Sequence, residues 1–140
     1  MPVLLIIAAL LLSPAVFAAD EGLVTHRGKI VFLPGDDVED ADQSKAIRFE
    51  AESGDTFDLI VEPDNFHAIH DELLKDRLWE FEGRVREGGA LEVRKMFSIK
   101  DGKRFKVTYY CEICHIVSYR PGRCMCCQED VELQEIPAPE

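Results

Sequence analysis

The feature that most limits what this chain can fold into is a period-two alternation of apolar and polar side chains. With one interruption it runs from Leu23 to Tyr110, in short segments separated by turn residues such as Gly88-Gly89 and Asp101-Gly102. Alternation of this kind is typical of strands that bury one face. It predicts a mainly β fold, with strands over residues 24–32, 45–50, 56–61, 78–85, 91–99 and 104–110.

The interruption lies between the third and fourth predicted strands, where the period becomes that of a helix. Phe66, Ile69 and Leu73 have the i, i+3, i+7 spacing of one helical face. This spacing predicts one helix that begins after Pro63 and is capped by residue 64 or 65. Three strands, a helix and two strands, over residues 23–100, resemble the OB-fold in element order and spacing, which implies a five-stranded barrel. Such barrels bind oligonucleotides or oligosaccharides, and the resemblance does not choose between these ligands or neither.

The first 19 residues carry no charged side chain, and residues 3–12 form an uninterrupted apolar run. Pro14 then breaks the run, and small residues follow, with Val16 and Ala18 in the −3 and −1 positions of a cleavage site. This layout is typical of a secretory signal. We expect residues 1–18 to be a signal peptide and the protein to be exported, either periplasmic or secreted. The alternative is an uncleaved membrane anchor, because the stretch nearly reaches the roughly 20 residues that span a bilayer.

The charge balance is strongly acidic, with 16 Lys and Arg against 27 Asp and Glu and a net charge of −11. A surface of this charge repels polyanions, so no nucleic-acid partner is expected. Acidic residues are concentrated in residues 36–64 and basic residues in residues 84–106. We interpret these as opposed solvated faces. The alternative is an anion-binding stripe made of Arg84, Arg86, Arg94, Lys95, Lys103 and Arg104.

All five cysteines lie between Cys111 and Cys127. Cys111, Cys114, Cys124 and Cys127 give the spacing C-x2-C-x9-C-x2-C, which places four thiolates on two tight turns. Four thiolates suit one tetrahedral zinc ion. Cys126 and His115 are alternate ligands.

The same segment resembles the heavy-metal-binding domains of exported metal-handling proteins. The resemblance rests on Tyr110-Cys111-x-x-Cys114 and on Pro121-Gly122-Arg123-Cys124-x-x-Cys127. Those domains have His at the position of Cys114, Gly at the position of Gln128 and Met at the position of Glu129. The additional sulfur favours zinc, with copper as the alternative cofactor. We therefore predict an OB-like small β-barrel with one helix over residues 19–108, a zinc-ribbon-like metal knuckle over residues 109–136, and a tail over residues 137–140.

Three other interpretations of the cysteines stay open. Cys111-x-x-Cys114-His115 is also the attachment signature of c-type haem, with Met96, Met125 or a histidine as the distal ligand. Disulfides are common in exported proteins, although five thiols leave one unpaired. A redox-active Cys-x-x-Cys is the third alternative, but the strand-helix-strand context that it needs is missing.

Two weaker metal candidates are the pair His67 and His70 and the acidic segment 36–42. We interpret the first as surface histidines and the second as a solvated loop without the glycine of a calcium loop. No catalytic constellation is found. The predicted function is therefore an exported, non-enzymatic binding or assembly module with a structural zinc site and an unidentified protein or small-ligand partner. Heavy-metal handling and haem-based electron transfer are the alternatives.

Overall fold

The computed structural model describes residues 22–33 and 47–139. The mainly β fold with one α-helix is confirmed. Within the described residues, no helix has the length and apolar character needed to cross a membrane. The predicted signal peptide and the acidic segment 36–42 lie outside the described residues.

In chain order the elements are β1 (Leu23–Phe32), β2 (Ile47–Ala51), β3 (Thr56–Ile60), α1 (Pro63–Ile69), a 3-10 helix (Glu72–Leu74), β4 (Leu78–Val85), β5 (Leu91–Lys100), β6 (Lys103–Cys111), β7 (Ile116–Ser118) and β8 (Glu132–Pro137).

The first five strands form a closed ring. β1 pairs antiparallel with both β2 and β4, β2 pairs with β3, and β4 pairs with β5. The ring closes through a parallel pairing of β3 with β5, in which Leu59 lies opposite Leu91. A parallel pair needs a crossover connection, and α1 together with β4 provides it. The predicted order of three strands, one helix and two strands is therefore the observed order.

The core of the ring is aromatic and aliphatic. Phe49, Trp79, Phe81 and Leu91 are almost completely buried. Trp79 and Phe81 are two residues apart on β4, so their side chains lie on the same face, and their rings stack with centroids 6.0 Å apart. The predicted alternation of β4 is thus confirmed for these two residues.

Two glycines allow neighbouring strands to approach closely. A Cβ atom at Gly28 would collide with the carbonyl oxygen of Glu50, and one at Gly83 would collide with the carbonyl oxygen of Glu92. The physical role of Gly28 is to leave room for the backbone of β2.

The predicted helix is partly wrong. Phe66 and Ile69 are buried in α1 as expected, but Leu73 is 72% exposed and lies in the separate 3-10 helix. The helix ends early because the Asp71 side chain accepts a hydrogen bond from the Leu73 N–H group, 2.9 Å away, and so starts a new turn. The N-cap is Glu62, without a side-chain cap, and not residue 64 or 65.

β6 extends from the ring into the C-terminal segment. It pairs with β5 only from Lys103 to Phe105, with β7 near Cys111, and with β8 along most of its length. Neither β7 nor β8 was predicted. The expected domain boundary between residues 108 and 109 falls inside β6 and stays a prediction.

Candidate metal centre

The first cysteine pair lies in the turn between β6 and β7. Cys111 is the last residue of β6 and lies opposite Ile116, the first residue of β7. The N–H group of His115 donates to the carbonyl oxygen of Cys111 at 2.8 Å, and His115 has a left-handed backbone with φ of 56°. The strand pairing therefore turns Cys111 and Cys114 toward the same space.

The second pair repeats this local structure. Arg123 and Asp130 form a bridge on either side of the turn. Inside the turn, the N–H group of Gln128 donates to the carbonyl oxygen of Cys124 at 3.0 Å, and Gln128 has a φ of 65°. The residue after the second cysteine of each pair is thus left-handed. This geometry explains why the resembling metal-binding domains have glycine at the position of Gln128.

Backbone N–H groups also point to the sulfur atoms. The N–H group of Cys114 donates to Cys111 Sγ at 3.4 Å, and that of Cys126 donates to Cys124 Sγ at 3.4 Å. Such donors stabilise a thiolate, the form that binds metal. Each turn is therefore shaped to hold a negatively charged sulfur at its first cysteine.

The two turns bring Cys111, Cys114, Cys124 and Cys127 together, with their Sγ atoms all within 4.8 Å of one another. Cys111 Sγ and Cys127 Sγ are 3.5 Å apart. Tetrahedral zinc, with Zn–S bonds of about 2.3 Å, requires sulfur atoms about 3.8 Å apart, whereas a disulfide requires about 2.05 Å. All five cysteines are free. The donor set fits one tetrahedral metal ion.

The cysteines of the cluster differ in the pKa of their thiols. Hydrogen bonds from the N–H groups of Cys127 and Cys126 lower the pKa of Cys124 to about 7. Hydrogen bonding with the thiols of Cys126 and Cys127 raises the pKa of Cys114. The lowered pKa favours the thiolate of Cys124, whereas the raised pKa favours the thiol of Cys114.

The predicted alternate ligands lie outside the cluster of four. The His115 ring is hydrogen-bonded through Nδ1 to the Tyr110 hydroxyl at 2.8 Å. Cys126 is exposed, although its thiol is close enough to Cys114 to hydrogen-bond. The neighbouring Met125 is 92% exposed. His115 therefore has a structural partner, and Cys126 is a solvent-facing thiol beside the cluster.

Of the predicted histidine pair, His67 lies in α1 and His70 is the residue that follows the helix. The His70 ring packs 4.0 Å from Phe66 and 5.3 Å from Phe32, centroid to centroid. Burial lowers the pKa of His70, so it packs as a neutral ring. Among the described residues, the cysteine cluster is the only group of three or more His, Cys, Asp or Glu side chains placed to hold a metal.

The six residues of the predicted basic stripe do not share one site, because some form ion pairs and the others line separate clefts. Arg86 pairs with Glu92 at 2.5 Å, and Arg104 pairs with the buried Glu80 at 3.2 Å. Lys103 lines a separate cleft beside Arg104. The remaining members, Arg84, Arg94 and Lys95, line one cleft together. Lys106, which the sequence analysis did not select, lines the adjoining cleft.

Sequence reasoning also missed Glu135 of β8. Its carboxylate accepts hydrogen bonds from Arg77 Nη2 at 2.8 Å and from Ser98 Oγ at 2.8 Å, and so connects β8 to the ring. Only Val131 and Leu133 alternate with polar residues, and Glu135 and Ile136 break that pattern, so the sequence carried no clear period-two signal for this strand. Comparison of the chain with models of known protein families, with curated proteins and with solved structures found no match.

Proposed function

We propose that Cys111, Cys114, Cys124 and Cys127 bind one structural zinc ion, and that the protein is an exported, non-enzymatic binding or assembly module. In this proposal the five-strand ring is an OB-like barrel and the C-terminal segment is a zinc ribbon. The observation that carries it is the convergence of four sulfur atoms from two similar turns. A tetrahedral ion with four thiolates has no open coordination position, so such an ion stabilises structure and does not activate water.

The packing of the C-terminal segment supports a structural role for the metal. Of the described residues 112–139, only Cys124 is buried. Ile113, Val117 and Met125 are all more than half exposed. A segment that buries so little apolar surface gains little stability from the hydrophobic effect. Metal binding would supply the missing free energy of folding, as it does in other small metal-stabilised segments.

Export rests on the layout of residues 1–18 alone. Export is relevant to metal binding, because unprotected thiols in an oxidising compartment form disulfides. Four thiolates that share one zinc ion are held at distances too long for that bond. The proposal therefore explains how four of the five closely spaced cysteines would stay reduced after export.

Metal handling is the second candidate, and the exposed Cys126 is the observation that favours it. A thiol at the rim of the cluster could exchange with a ligand of a bound ion and so open a route for transfer. Covalent haem is less favoured by the geometry. Both thiols of Cys111-x-x-Cys114 would have to form bonds to the haem, yet Cys111 is 1% exposed and its sulfur contacts Cys127.

The test is elemental analysis and an absorption spectrum of full-length protein purified after export. We expect one zinc ion per chain, slow loss of that ion to a competing chelator, and no Soret band. Cys124→Ser should abolish stoichiometric zinc, whereas the matched variant Cys126→Ser should retain it with the same rate of loss.

Other outcomes would contradict the proposal in distinct ways. A Soret band would replace zinc with haem. Rapid exchange of copper or zinc that is slowed by Cys126→Ser would indicate metal handling. Metal-free protein with no more than one reactive thiol would show that the cysteines form disulfides.

A further inference from the structure

A basic groove crosses β4, β5 and β6 on the surface of the ring. It consists of two adjoining clefts that share Arg94 and Lys95. The first, of about 370 Å³, is also lined by Arg84 and Glu82. The second, of about 320 Å³, continues to Lys106 and Tyr119. We call this surface, lined by Arg84, Arg94, Lys95 and Lys106, the basic groove.

A β-bulge places two cations next to each other in the groove. On β4 and β5, Glu82 lies opposite Lys95 but Gly83 lies opposite Val93, so Arg94 is the extra residue. Successive side chains of a regular strand point to opposite faces. Here the bulge interrupts that alternation, and both Arg94 and Lys95 are exposed, by 53% and 61% of their side chains. Bulges commonly re-aim side chains at binding sites.

The charges in the groove are only partly neutralised. Lys95 pairs with Glu82 at 2.8 Å, and Arg94 shares Glu92 with Arg86. Lys106 has no ion-pair partner among the described residues. It lies over the Tyr119 ring, 5.9 Å from its centroid. Four cations and one carboxylate line the two clefts, and Glu92 next to them pairs with Arg94.

The walls of the second cleft are partly apolar. Met96 and Phe97 of β5 and Tyr119 line it together with Lys106. A ligand for this groove must therefore carry several negative charges and at least one apolar group. The groove is open and extends from β4 across β5 to Lys106, which lies just beyond the paired part of β5 and β6, so an extended ligand fits it better than a compact one. Oligonucleotides carry a negative charge on every residue, so the rest of the acidic surface repels them more strongly than a short peptide in which acidic and apolar residues are mixed.

We propose that the basic groove binds an extended acidic peptide segment of a partner protein, with an apolar side chain of that segment against Phe97 and Tyr119. This function uses none of the proposed metal ligands, but it rests on the proposed metal in one respect, because Tyr119 follows β7 and so belongs to the segment that the metal would hold. The acidic segment would pair with Arg94, Lys95 and Lys106. Charge complementarity of this kind contributes mainly to specificity and to the association rate.

The test is fluorescence anisotropy with a labelled seven-residue peptide in which Glu and Asp surround one Phe. A peptide with the same sequence but Gln and Asn in place of the acids is the matched probe. Zinc-loaded full-length protein should bind the acidic peptide and not its amide counterpart, and added NaCl should weaken binding. Arg94→Gln with Lys95→Gln, and separately Lys106→Gln, should each weaken binding by about tenfold.

The control is Lys29→Gln with Lys75→Gln, which removes the same charge as the double variant from residues that line neither cleft. This control should retain the wild-type affinity, and circular dichroism should show all variants folded. Equal loss in the control would mean that net charge and not the groove drives binding. Displacement of the peptide by equimolar citrate, or equal affinity for a short oligothymidylate, would also overturn the proposal. So would an acidic peptide that fails to bind at low ionic strength.

Discussion

Replacing Glu135 by alanine should destabilise the whole domain, although Glu135 lies in a strand near the end of the chain. The carboxylate is 15% exposed and pairs with Arg77, which precedes β4. Arg77 Nε and Nη2 donate to it at 3.2 and 2.8 Å, and Ser98 Oγ of β5 donates at 2.8 Å. Glu135 therefore connects β8 to two points on the ring.

The size of the effect follows from these three hydrogen bonds. A hydrogen bond to a charged group contributes about 1.5–3 kcal/mol to protein stability. Removal of one partner also leaves the polar group of the other partner buried without a hydrogen bond. The contributions are not additive, and Arg77 is 30% exposed, so water restores part of the loss. We expect the free energy of unfolding to fall by about 2–3 kcal/mol.

The pH dependence of that loss provides a second measurement. Burial alone would raise the pKa of Glu135, but the hydrogen bonds from Arg77 and Ser98 outweigh it, so the pKa lies below its ordinary value of 4.5. A carboxylate with a lowered folded-state pKa stabilises the protein fully above its unfolded-state pKa, and this stabilisation is lost as the pH falls through the folded-state pKa. The difference between wild type and Glu135→Ala should therefore shrink below about pH 4.5.

Urea unfolding at pH 7 and at pH 4 measures both effects, with the metal removed from wild type and variants alike, because thiols become protonated and release metal at acidic pH. The matched control is Glu132→Ala, which removes an exposed carboxylate from the same strand and should change stability by less than about 0.5 kcal/mol. If Glu135→Ala were as stable as this control at pH 7, β8 would not be anchored to the ring through Glu135, and the reasoning would be refuted.

Three further predictions concern the backbone and the metal. Residue 128 has a left-handed backbone, which glycine adopts easily and a β-branched residue does not. Gln128→Gly should therefore leave stability unchanged or raise it, and Gln128→Val should lower the melting temperature by an amount equivalent to about 1–2 kcal/mol. Equal melting temperatures of the two variants would contradict that geometry. Gly83→Ala should lower the free energy of unfolding in urea by more than about 2 kcal/mol, because its Cβ would collide with β5, and a neutral result would mean that β4 and β5 are less closely packed. Removal of metal with a chelator should abolish hydrogen-exchange protection in residues 112–131 and preserve it in β2 and β4; loss of protection in β2 would show that the ring also depends on the metal.

The ring could be predicted from the sequence because local signals determine it. Alternation in residues 78–85 matched β4 at both ends, and the Asp101-Gly102 pair marked the turn between β5 and β6. The errors arose where tertiary contacts override local pattern. Leu73 has helical spacing, but the Asp71 side chain captures its N–H group and ends the helical face. The periodicity of apolar residues does not predict a side-chain hydrogen bond that competes with the helix.

The site shows the same division between local and long-range information. The spacing of the four cysteines was sufficient to predict that they lie together, because each pair is confined to one turn. The basic groove was not predictable in this way. Arg94 and Lys95 share a face only because β5 bulges opposite Gly83, and Lys106 joins them through the pairing of separate strands. Register between strands is set by packing and by bulges that a single sequence does not reveal.

Two different forces hold the C-terminal segment, and they divide it into two parts. β8 is held by hydrogen bonds to β6 from Phe105 to Tyr110 and by the ion pair of Glu135, and neither depends on a metal. The intervening residues 112–131 are held by the short pairing of β7, by the Arg123–Asp130 bridge, by the Arg120–Asp64 ion pair at 2.9 Å and by the sulfur cluster. Loss of metal should therefore release a loop whose two ends stay attached to the ring. Because closing a loop of this length costs little additional entropy once both ends are fixed, rebinding of zinc should restore the turns without refolding of the ring.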